Sequence, residues 1–398
     1  MAHKELKTRA EATGQQAWGS DWHVDGWTIA PGRIELIGNH TDYNGGPVLA
    51  GAIDRVMVMA AGPISDPAAI EIVAAAVAPE VATCYPIQLG DWRSGPDDNG
   101  PIVYIKGIVA TLLSRSIPIR MGVGLAVAGD IPPGFGMSSS AAFCLAGILA
   151  LTVDEIEPYE MVAIAREAEH RAGAMVGAMD QSASLAGEVI RFDGRDNSFE
   201  HIEPDLGNYV FAVADSGVQR SLRTSAYGTR VKETEEARIR LNNAYGLELP
   251  NLAALEPNWE DVFPTINQHL SDTLIRRVRH IVTETRRVNA AEDAVRASEW
   301  ITFGHLMDES GASSATDYDI SDPVVEELAA HCRKQNGVLG ARMMGGGNGG
   351  PALLLLGKDA VDSVWESLDE FYAKHPIQNP ERAFHVCSFG PGAHREQV

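Results

Sequence analysis

The sequence predicts a two-domain protein of the α+β class, built from both helices and strands. At 398 residues, the chain exceeds the length at which one hydrophobic core usually suffices. Its apolar content of 45% is typical of packed globular proteins. Segments with the residue pattern of strands also occur between segments patterned as helices. A polar, turn-rich stretch at 194–208 marks a plausible boundary, so we expect domains over 1–205 and 206–398.

Two segments have the pattern of strands. In residues 47–60 (PVLAGAIDRVMVMA), Val56 and Val58 alternate with Met57 and Met59. Residues 351–357 (PALLLLG) form a short apolar run that predicts a buried strand.

Three segments have the pattern of helices. Residues 138–151 are small or apolar nearly all round, which predicts a buried helix. Residues 272–298 predict a long helix with one apolar face, and the arginine cluster at 276–287 is expected to be solvated. A third helix should begin at the run Ser321-Asp322-Pro323 and stop near Gly337.

The charge and the cysteines exclude several classes of function. A formal net charge of −22 would repel nucleic acid and anionic lipid, so neither partner is expected. No apolar run is long enough to cross a bilayer, and the N-terminus shows no secretory signal. The four cysteines are widely spaced, without a C-x-x-C pair, which fits a reduced, cytoplasmic setting. An anionic nucleotide would need local donors and a metal to hold it against the overall field.

The first of three glycine-rich stretches is PGRIELIGNHTDYNGG, residues 31–46. A hairpin would explain its Gly-Gly turn. It would not explain why Arg33, His40 and Asp42 gather at the end of one apolar strand. Several fixed hydrogen-bond groups of this kind suit a ligand that carries many hydroxyls.

The second and third stretches suggest sites of close backbone approach. In GDIPPGFGMSSSAA (129–142), a Pro-Gly turn leads into serines that open a helix, where unpaired N–H groups favour an anion. A plain helix start capped by serines explains the same residues. In ARMMGGGNGGPALLLL (341–356), five glycines in six residues precede a buried strand, which favours packing against another loop or a ligand over a flexible linker.

Taken together, the three stretches resemble the galactokinases, within the wider group of GHMP small-molecule kinases. They resemble the signature P-G-R-x-N-L-I-G-E-H-T-D-Y-N, the phosphate loop P-x-G-x-G-L-S-S-S-A and the loop M-T-G-A-G-F-G-G. Further matches occur in the family's order, at 177–187, 220–237, 279–288, 303–314 and 384–393. The resemblance runs from about residue 25 to the C-terminus. The ordered set of motifs is more specific than any one of them.

The resemblance implies a fold, an activity and roles for particular residues. The N-terminal domain would be ribosomal S5 domain 2-like and the C-terminal domain a ferredoxin-like α/β sandwich, with the site between them. The family transfers the γ-phosphate of ATP to the C1 hydroxyl of a galactose-like sugar, with Mg²⁺. Asp180 and Arg33 correspond to the catalytic pair. The expected sugar contacts are Asn39, His40, Asp42, Gly177 and Tyr227. The expected nucleotide contacts are Pro133, Gly134, Phe135, Gly136, Met137, Ser138, Ser139 and Ser140. The expected metal ligands are Ser140 and Glu169. A monomer is expected.

The residues themselves leave some roles open. Asp180 would accept the C1 proton, but an arginine partner lowers the pKa of an aspartate and weakens it as a base, so a mainly orienting role is equally consistent. On sequence alone, Asp180 also suits a helix N-cap. Glu169 lies in a segment rich in Glu and Arg, where a solvated face is the alternative.

The sequence departs from the family pattern beside the proposed sugar site. Asn39 replaces the usual glutamate, which is expected to contact the C6 hydroxyl, and Glu35 replaces the usual asparagine. Losing a carboxylate there would also remove repulsion against a C6 carboxylate, about 1–4 kcal/mol at 4 Å. The runner-up function is therefore a uronic acid kinase, such as a galacturonate 1-kinase. A catalytically silent sugar sensor is a third possibility, and a homoserine- or mevalonate-type kinase fits the sugar-branch motifs less well.

Overall fold

The computed structural model describes residues 3–75, 81–84, 98, 100–132, 135–218, 226–377 and 383–398. Within these ranges, twelve strands form two sheets and eleven α-helices pack around them. The predicted α+β class is confirmed. In the same ranges, no helix is both long and apolar enough to cross a bilayer.

The first sheet is mostly antiparallel and contains eight of the described strands. Its members are β1 (Gly26–Ile37), β2 (Pro47–Pro63), β3 (Ile70–Ala74), β4 (Ala82–Cys84), β5 (Val123–Gly129), β6 (Val189–Asp193), β7 (Ser198–Ile202) and β12 (His394–Gln397). The order is β12-β1-β2-β5-β3-β4, while β6 pairs with β2 and β7 with β6. The ladder between β1 and β2 ends at Ile37 and Leu49, so the first glycine-rich stretch continues from β1 into the turn beyond it.

Helices of the N-terminal half cover both faces of this sheet. They are α1 (Lys4–Trp18), α2 (Pro101–Ser114), α3 (Ser139–Leu151), α4 (Pro158–Arg171) and α5 (Met179–Ala186). The alternation within β2 sorts its side chains, because Val56 and Val58 pack in the cluster of α1 whereas Met57 and Met59 pack in the cluster of α3. The predicted buried helix at 138–151 is confirmed, since α3 is buried along nearly its whole length.

The second sheet is antiparallel throughout its described strands. These are β8 (Tyr209–Asp215), β9 (Val338–Met343), β10 (Pro351–Gly357) and β11 (Phe384–Cys387), in the order β11-β8-β10-β9. The C-terminal helices are α6 (Tyr227–Tyr245), α7 (Trp259–Val262), α8 (Asp272–Arg296), α9 (Trp300–Thr316), α10 (Pro323–Arg333) and α11 (Val361–Lys374). The predicted strand at 351–357 and the long helix are confirmed. As expected, α10 begins at the proline after Asp322, whose side chain caps Val324 N, although it ends at Arg333, before Gly337.

The two sheets are not independent units. The expected boundary at 205/206 falls between β7 and β8, which enter different sheets. The last strand, β12, returns to pair with β1 in the first sheet. One continuous apolar cluster also joins Ile34 of β1 with Val288 of α8 and Leu353 of β10. The site described next lies where these two halves meet.

The expectation that the arginines at 276–287 are solvated is wrong for Arg277. This residue is 2% exposed, and its Nε atom lies 2.7 Å from a Glu233 oxygen. Its Nη1 atom also donates to the carbonyl of Asp317. Because guanidinium carries five donors in a rigid fork, an arginine with this many acceptors tolerates burial that sequence pattern alone argues against.

Candidate active site

Arg33 and Asp180 form an ion pair at the centre of the site. The Nη2 atom of Arg33 lies 2.6 Å from Oδ1 of Asp180, and Nε donates to the same oxygen over 2.8 Å. The arginine is buried, whereas the Asp180 side chain remains 23% exposed. Asp180 is the second residue of α5, where the helix dipole favours a negative charge. The structure thus brings together two residues that are 147 positions apart in sequence.

Residues 136–138 of the second glycine-rich stretch contact this pair directly. Arg33 donates from Nη1 to the carbonyl of Gly136 over 2.6 Å, and its backbone N–H donates to the carbonyl of Met137. The hydroxyl of Ser138 donates to the Oδ2 atom of Asp180. Both oxygens of Asp180 are therefore engaged, one by β1 and one by the loop before α3.

This segment also meets the third glycine-rich stretch. Gly136 has φ +68°, and a Cβ there would lie 2.9 Å from Cδ of Pro351, the first residue of β10. Phe135 and Met137 are buried, while Ser139 and Ser140 open α3 with partly exposed side chains. Pro133 and Gly134, also expected here, lie outside the described residues. Ser138, the residue before α3, bonds to Asp180 through its hydroxyl, so the helix N-terminus, whose first backbone N–H groups have no partner within the helix, begins beside Asp180.

Glu169 and Ser140 lie together beside this segment. Glu169 is 1% exposed, so the alternative of a solvated position is wrong. Its carboxylate accepts hydrogen bonds from the Ser140 side chain and from Nε2 of Gln181. Burial raises the pKa of Glu169 to about 7, against the effect of these donors. A buried carboxylate beside a hydroxyl is a donor set that suits Mg²⁺ together with phosphate oxygens. Among the described residues, no group of three or more His, Cys, Asp and Glu side chains offers a metal site built from protein ligands alone.

The turn after β1 has an unusual backbone. Gly38 has φ +112° and His40 has φ +61°, a left-handed conformation that is uncommon for a residue with a Cβ. The Thr41 hydroxyl lies 2.8 Å from the carbonyl of Gly38 and 2.6 Å from that of Pro47. Asn44 donates from Nδ2 to the carbonyl of His40. These bonds fix the turn that presents His40 and Asp42.

Three tyrosine rings surround the His40 ring. Its ring centroid lies 5.1 Å from Tyr227, 5.2 Å from Tyr318 and 5.6 Å from Tyr43. Its Nδ1 atom lies 2.9 Å from the hydroxyl of Tyr43, which in turn lies 2.8 Å from the hydroxyl of Tyr318. The expected residues His40 and Tyr227 thus come together, and Tyr43 and Tyr318 join them.

Asp42 and Gly177 lie in direct contact. A Cβ placed on Gly177 would overlap Oδ2 of Asp42, so only glycine allows this approach. Burial raises the pKa of Asp42 to about 7, although the backbone N–H of Tyr43 stabilises its charge. Part of the Asp42 side chain remains exposed. A carboxylate kept in so unfavourable a place is typical of a functional site.

The side chain of Asn39 bonds to Glu35 and Gly345 and not to the rings around His40. Its side chain is fully buried, and Nδ2 donates to Oε1 of Glu35 over 2.8 Å and to the carbonyl of Gly345 over 3.0 Å. Glu35 is also paired with Arg342 of β9 at 2.5 Å. Both hydrogens of the Asn39 amide are thus used within the protein. Its role as a sugar contact stays a prediction.

Comparisons with known proteins show the family to which the chain belongs. Residues 15–63 match the model of the galactokinase galactose-binding signature. Residues 103–188 and 291–374 match the N-terminal and C-terminal domains of the GHMP kinases. The galactokinase of Roseiflexus sp. is 32% identical, covering 96% of this chain and 95% of its own. That of Limosilactobacillus reuteri is also 32% identical, covering 86% and 89%. The chain belongs to the galactokinase family. It is a sugar kinase, as the sequence resemblance implied.

Solved structures give the same result. The galactokinase of Lactococcus lactis, crystallised in complex with galactose, is 28% identical and aligns over 98% of this chain with a TM-score of 0.86. A mevalonate kinase aligns over 92% with a TM-score of 0.63 and 16% identity, which shows the shared GHMP kinase fold alone. The predicted two-domain GHMP kinase fold is confirmed.

Some residues near the site carried no assigned role in the sequence. Tyr43 stands inside the TDYN motif, so the motif itself could have flagged it. Tyr318 is about 275 residues from Tyr43, and nothing in its local sequence connects the two. Glu284 and His280 lie in the segment at 279–288 that resembles the family, but their function follows only from the contacts described below.

Proposed function

We propose that this protein is a galactose 1-kinase, which transfers the γ-phosphate of ATP to the anomeric C1 hydroxyl of D-galactose. The observation that carries the proposal is the contact of Asp180 with both Arg33 and the phosphate-loop residue Ser138. A hydroxyl brought to Asp180 therefore lies beside the loop expected to hold the phosphates. The substrate itself is taken from the relatives, which are galactokinases.

The proposed reaction depends mainly on positioning and on neutralising charge. The C1 oxygen forms a bond to the γ-phosphorus while the bond from that phosphorus to the bridging β–γ oxygen breaks, and ADP leaves. Asp180 accepts the hydrogen bond of the C1 hydroxyl and provides a place for its proton. Arg33, already 2.6 Å from Asp180, holds that carboxylate and places a positive charge beside the developing charge.

The donor is ATP, as in the kinase family, and we propose Mg²⁺ as the metal. Ser140 and Glu169 would hold it, because their hydroxyl and carboxylate oxygens are hard ligands. When bound, Mg²⁺ neutralises charge on the phosphate oxygens. The protein's part is to bury Glu169 and to fix it through Gln181.

The proposed sugar site consists of groups suited to hydroxyls. Asp42 accepts hydrogen bonds, His40 lies among three tyrosine rings, and Gly177 leaves room for close approach. Galacturonate is not favoured as the substrate, because the Asn39 amide is buried and already donates both of its hydrogens, to Glu35 and to the carbonyl of Gly345. A silent sensor is not favoured either, since the Arg33–Asp180 pair and the loop serines are intact. A cytoplasmic location and a monomeric state stay predictions.

The experiment is an assay of ADP release with galactose and Mg-ATP, run beside galacturonate, 2-deoxygalactose and arabinose. We expect turnover with galactose and little with galacturonate. The variant Asp180→Asn should lose about 10²–10⁴-fold in kcat, as for removal of a positioned proton acceptor. Asp196→Asn, an exposed aspartate, is the control and should retain full activity. Preference for galacturonate, or an Asp180→Asn variant within tenfold of wild type, would refute the proposal.

A further inference from the structure

The turn that carries His40 and Asp42 lies beyond the end of the β1–β2 ladder. That ladder stops at Ile37 and Leu49, so the next backbone N–H groups need partners from elsewhere. The backbone at Gly38 and His40 has positive φ values. A turn in such a conformation persists only when its surroundings hold it.

Glu284 of α8 supplies the acceptor. This glutamate is fully buried, and its Oε1 atom lies 3.1 Å from the N–H nitrogen of Gly38 and 3.3 Å from that of Asn39. The Ser310 hydroxyl donates to the same oxygen over 2.5 Å. The other oxygen, Oε2, is 2.7 Å from Nε of Arg287. Arg287 helps to hold the pKa of Glu284 near 2, so the carboxylate remains charged despite its burial.

His280 lies one helical turn before Glu284. Glu284 accepts from the backbone N–H of Asn39, and His280 contacts the backbone carbonyl of the same Asn39. Its Nε2 atom lies 3.0 Å from the carbonyl of Asn39, and Nδ1 lies 2.9 Å from the Ser313 hydroxyl. Burial lowers the pKa of His280 to about 4, so the ring is neutral near pH 7. Nε2–H then donates to Asn39, and Nδ1 accepts from Ser313. The ring also stacks on Tyr318 at 4.3 Å, and Tyr318 contacts His40.

We infer that Glu284 and His280 are positioning residues for sugar binding, which fix the backbone of residues 38–40 so that His40 and Asp42 face the monosaccharide. This inference rests on the proposed function, because it concerns the turn proposed to bind galactose. Neither residue needs to touch the sugar. Both belong to the C-terminal half of the chain, whereas the turn belongs to the N-terminal half, so the sugar site is complete only when α8 is docked.

Loss of Glu284 should affect sugar binding but not nucleotide binding. The contacts of Glu284 reach the turn, Ser310 and Arg287, whereas Asp180 is held by Arg33 and Ser138. Losing Glu284 should therefore raise the KM for galactose and leave kcat and the KM for ATP nearly unchanged. Two backbone donors that lose a charged acceptor predict a rise of about 10- to 100-fold. A merely structural loss would lower the active fraction and leave KM unchanged.

The test measures initial rates against galactose and against ATP for wild type, Glu284→Ala and Glu284→Gln. Glu284→Gln keeps one acceptor oxygen, so its KM for galactose should rise at least threefold but less than that of Glu284→Ala. Asp293→Asn, an exposed acid on the same helix, is the matched control and should behave as wild type. Melting curves establish the folded fraction, and Glu284→Gln decides the question if Glu284→Ala does not fold.

Two results have distinct meanings. If wild type phosphorylates galactose but Glu284→Gln has an unchanged KM for galactose, the inference fails alone. If wild type releases no ADP with galactose, the proposed function fails, and the inference fails with it.

Discussion

Replacing Arg342 with methionine tests the ion pair that joins β9 to β1. Arg342 is fully buried, and its Nη2 atom lies 2.5 Å from Oε1 of Glu35, whose side chain is 5% exposed. Nη1 also donates to the carbonyl of Leu36 over 3.1 Å. After the substitution, the Glu35 carboxylate would keep the Asn39 amide but lose its cation. Methionine fills a comparable volume, so the main loss is electrostatic.

The expected destabilisation is about 3–5 kcal/mol, the usual cost of leaving one partner of a buried pair uncompensated. That corresponds to a rise of more than 100-fold in the unfolded population. The cost should depend on pH. Burial already raises the pKa of Glu35, and Arg342 opposes that rise. Without Arg342 the pKa rises further, and an acid with a raised folded pKa loses stability as the pH rises from its unfolded pKa to its folded pKa. The deficit of the variant should therefore grow from pH 5 to pH 8.

The assay is urea or thermal unfolding of wild type and Arg342→Met at pH 5, 7 and 8. The double variant Glu35→Gln/Arg342→Met removes both charges and should recover at least half of the loss. Arg276→Met, at an exposed position on α8, is the control and should change stability by less than about 0.5 kcal/mol. A single variant within 1 kcal/mol of wild type, or a double variant no more stable than the single, would refute the reasoning.

Three further predictions concern the site itself. Asp42→Asn should abolish galactose turnover yet raise the melting temperature. The gain in stability should be about 1–2 kcal/mol at pH 8 and smaller at pH 5, because the buried carboxylate, with a pKa of about 7, is charged only at the higher pH. Equal melting shifts at both pH values would contradict this. Gly177→Ala should raise the KM for galactose at least tenfold because its Cβ meets Asp42, whereas Gly228→Ala, where nothing lies within 4 Å, should leave activity intact; similar kinetics of the two variants would be the adverse result. Glu169→Gln should shift the Mg²⁺ dependence of ADP release to higher concentration, and a superimposable Mg²⁺ titration would argue against a ligand role.

Much of the fold was visible in the sequence because its signals are local. The strand at 47–60 alternates valines with methionines at 56–59, and the valines pack against one layer of helices while the methionines pack against another. The helix at 138–151 is apolar all round, which matches its position in the structure, where neighbouring helices and the first sheet cover it. The return of β12 to β1 had no such signal, since pairing of residues 26–29 with 394–397 depends on contacts far apart in the chain.

The candidate site was predicted only in part, for the same reason. Arg33, His40 and Asp42 share one motif, so their clustering could be expected. The burial of Arg277, outside the site, could not be predicted from the sequence, because its partners Glu233 and Asp317 come from other segments. Glu284 acquires its acceptor role only when α8 packs against a turn 246 residues away. A carboxylate in an arginine-rich helix otherwise has the pattern of a solvated face.

The most direct test of the proposed activity is the structure of the product. The protein is incubated with D-galactose, ATP and Mg²⁺, and the sugar phosphate is examined by proton and phosphorus NMR. The predicted result is a phosphate coupled to the anomeric proton, formed by wild type and formed far more slowly by Asp180→Asn. A phosphate on another hydroxyl, or no phosphorylated sugar from an enzyme that is folded, would contradict the account.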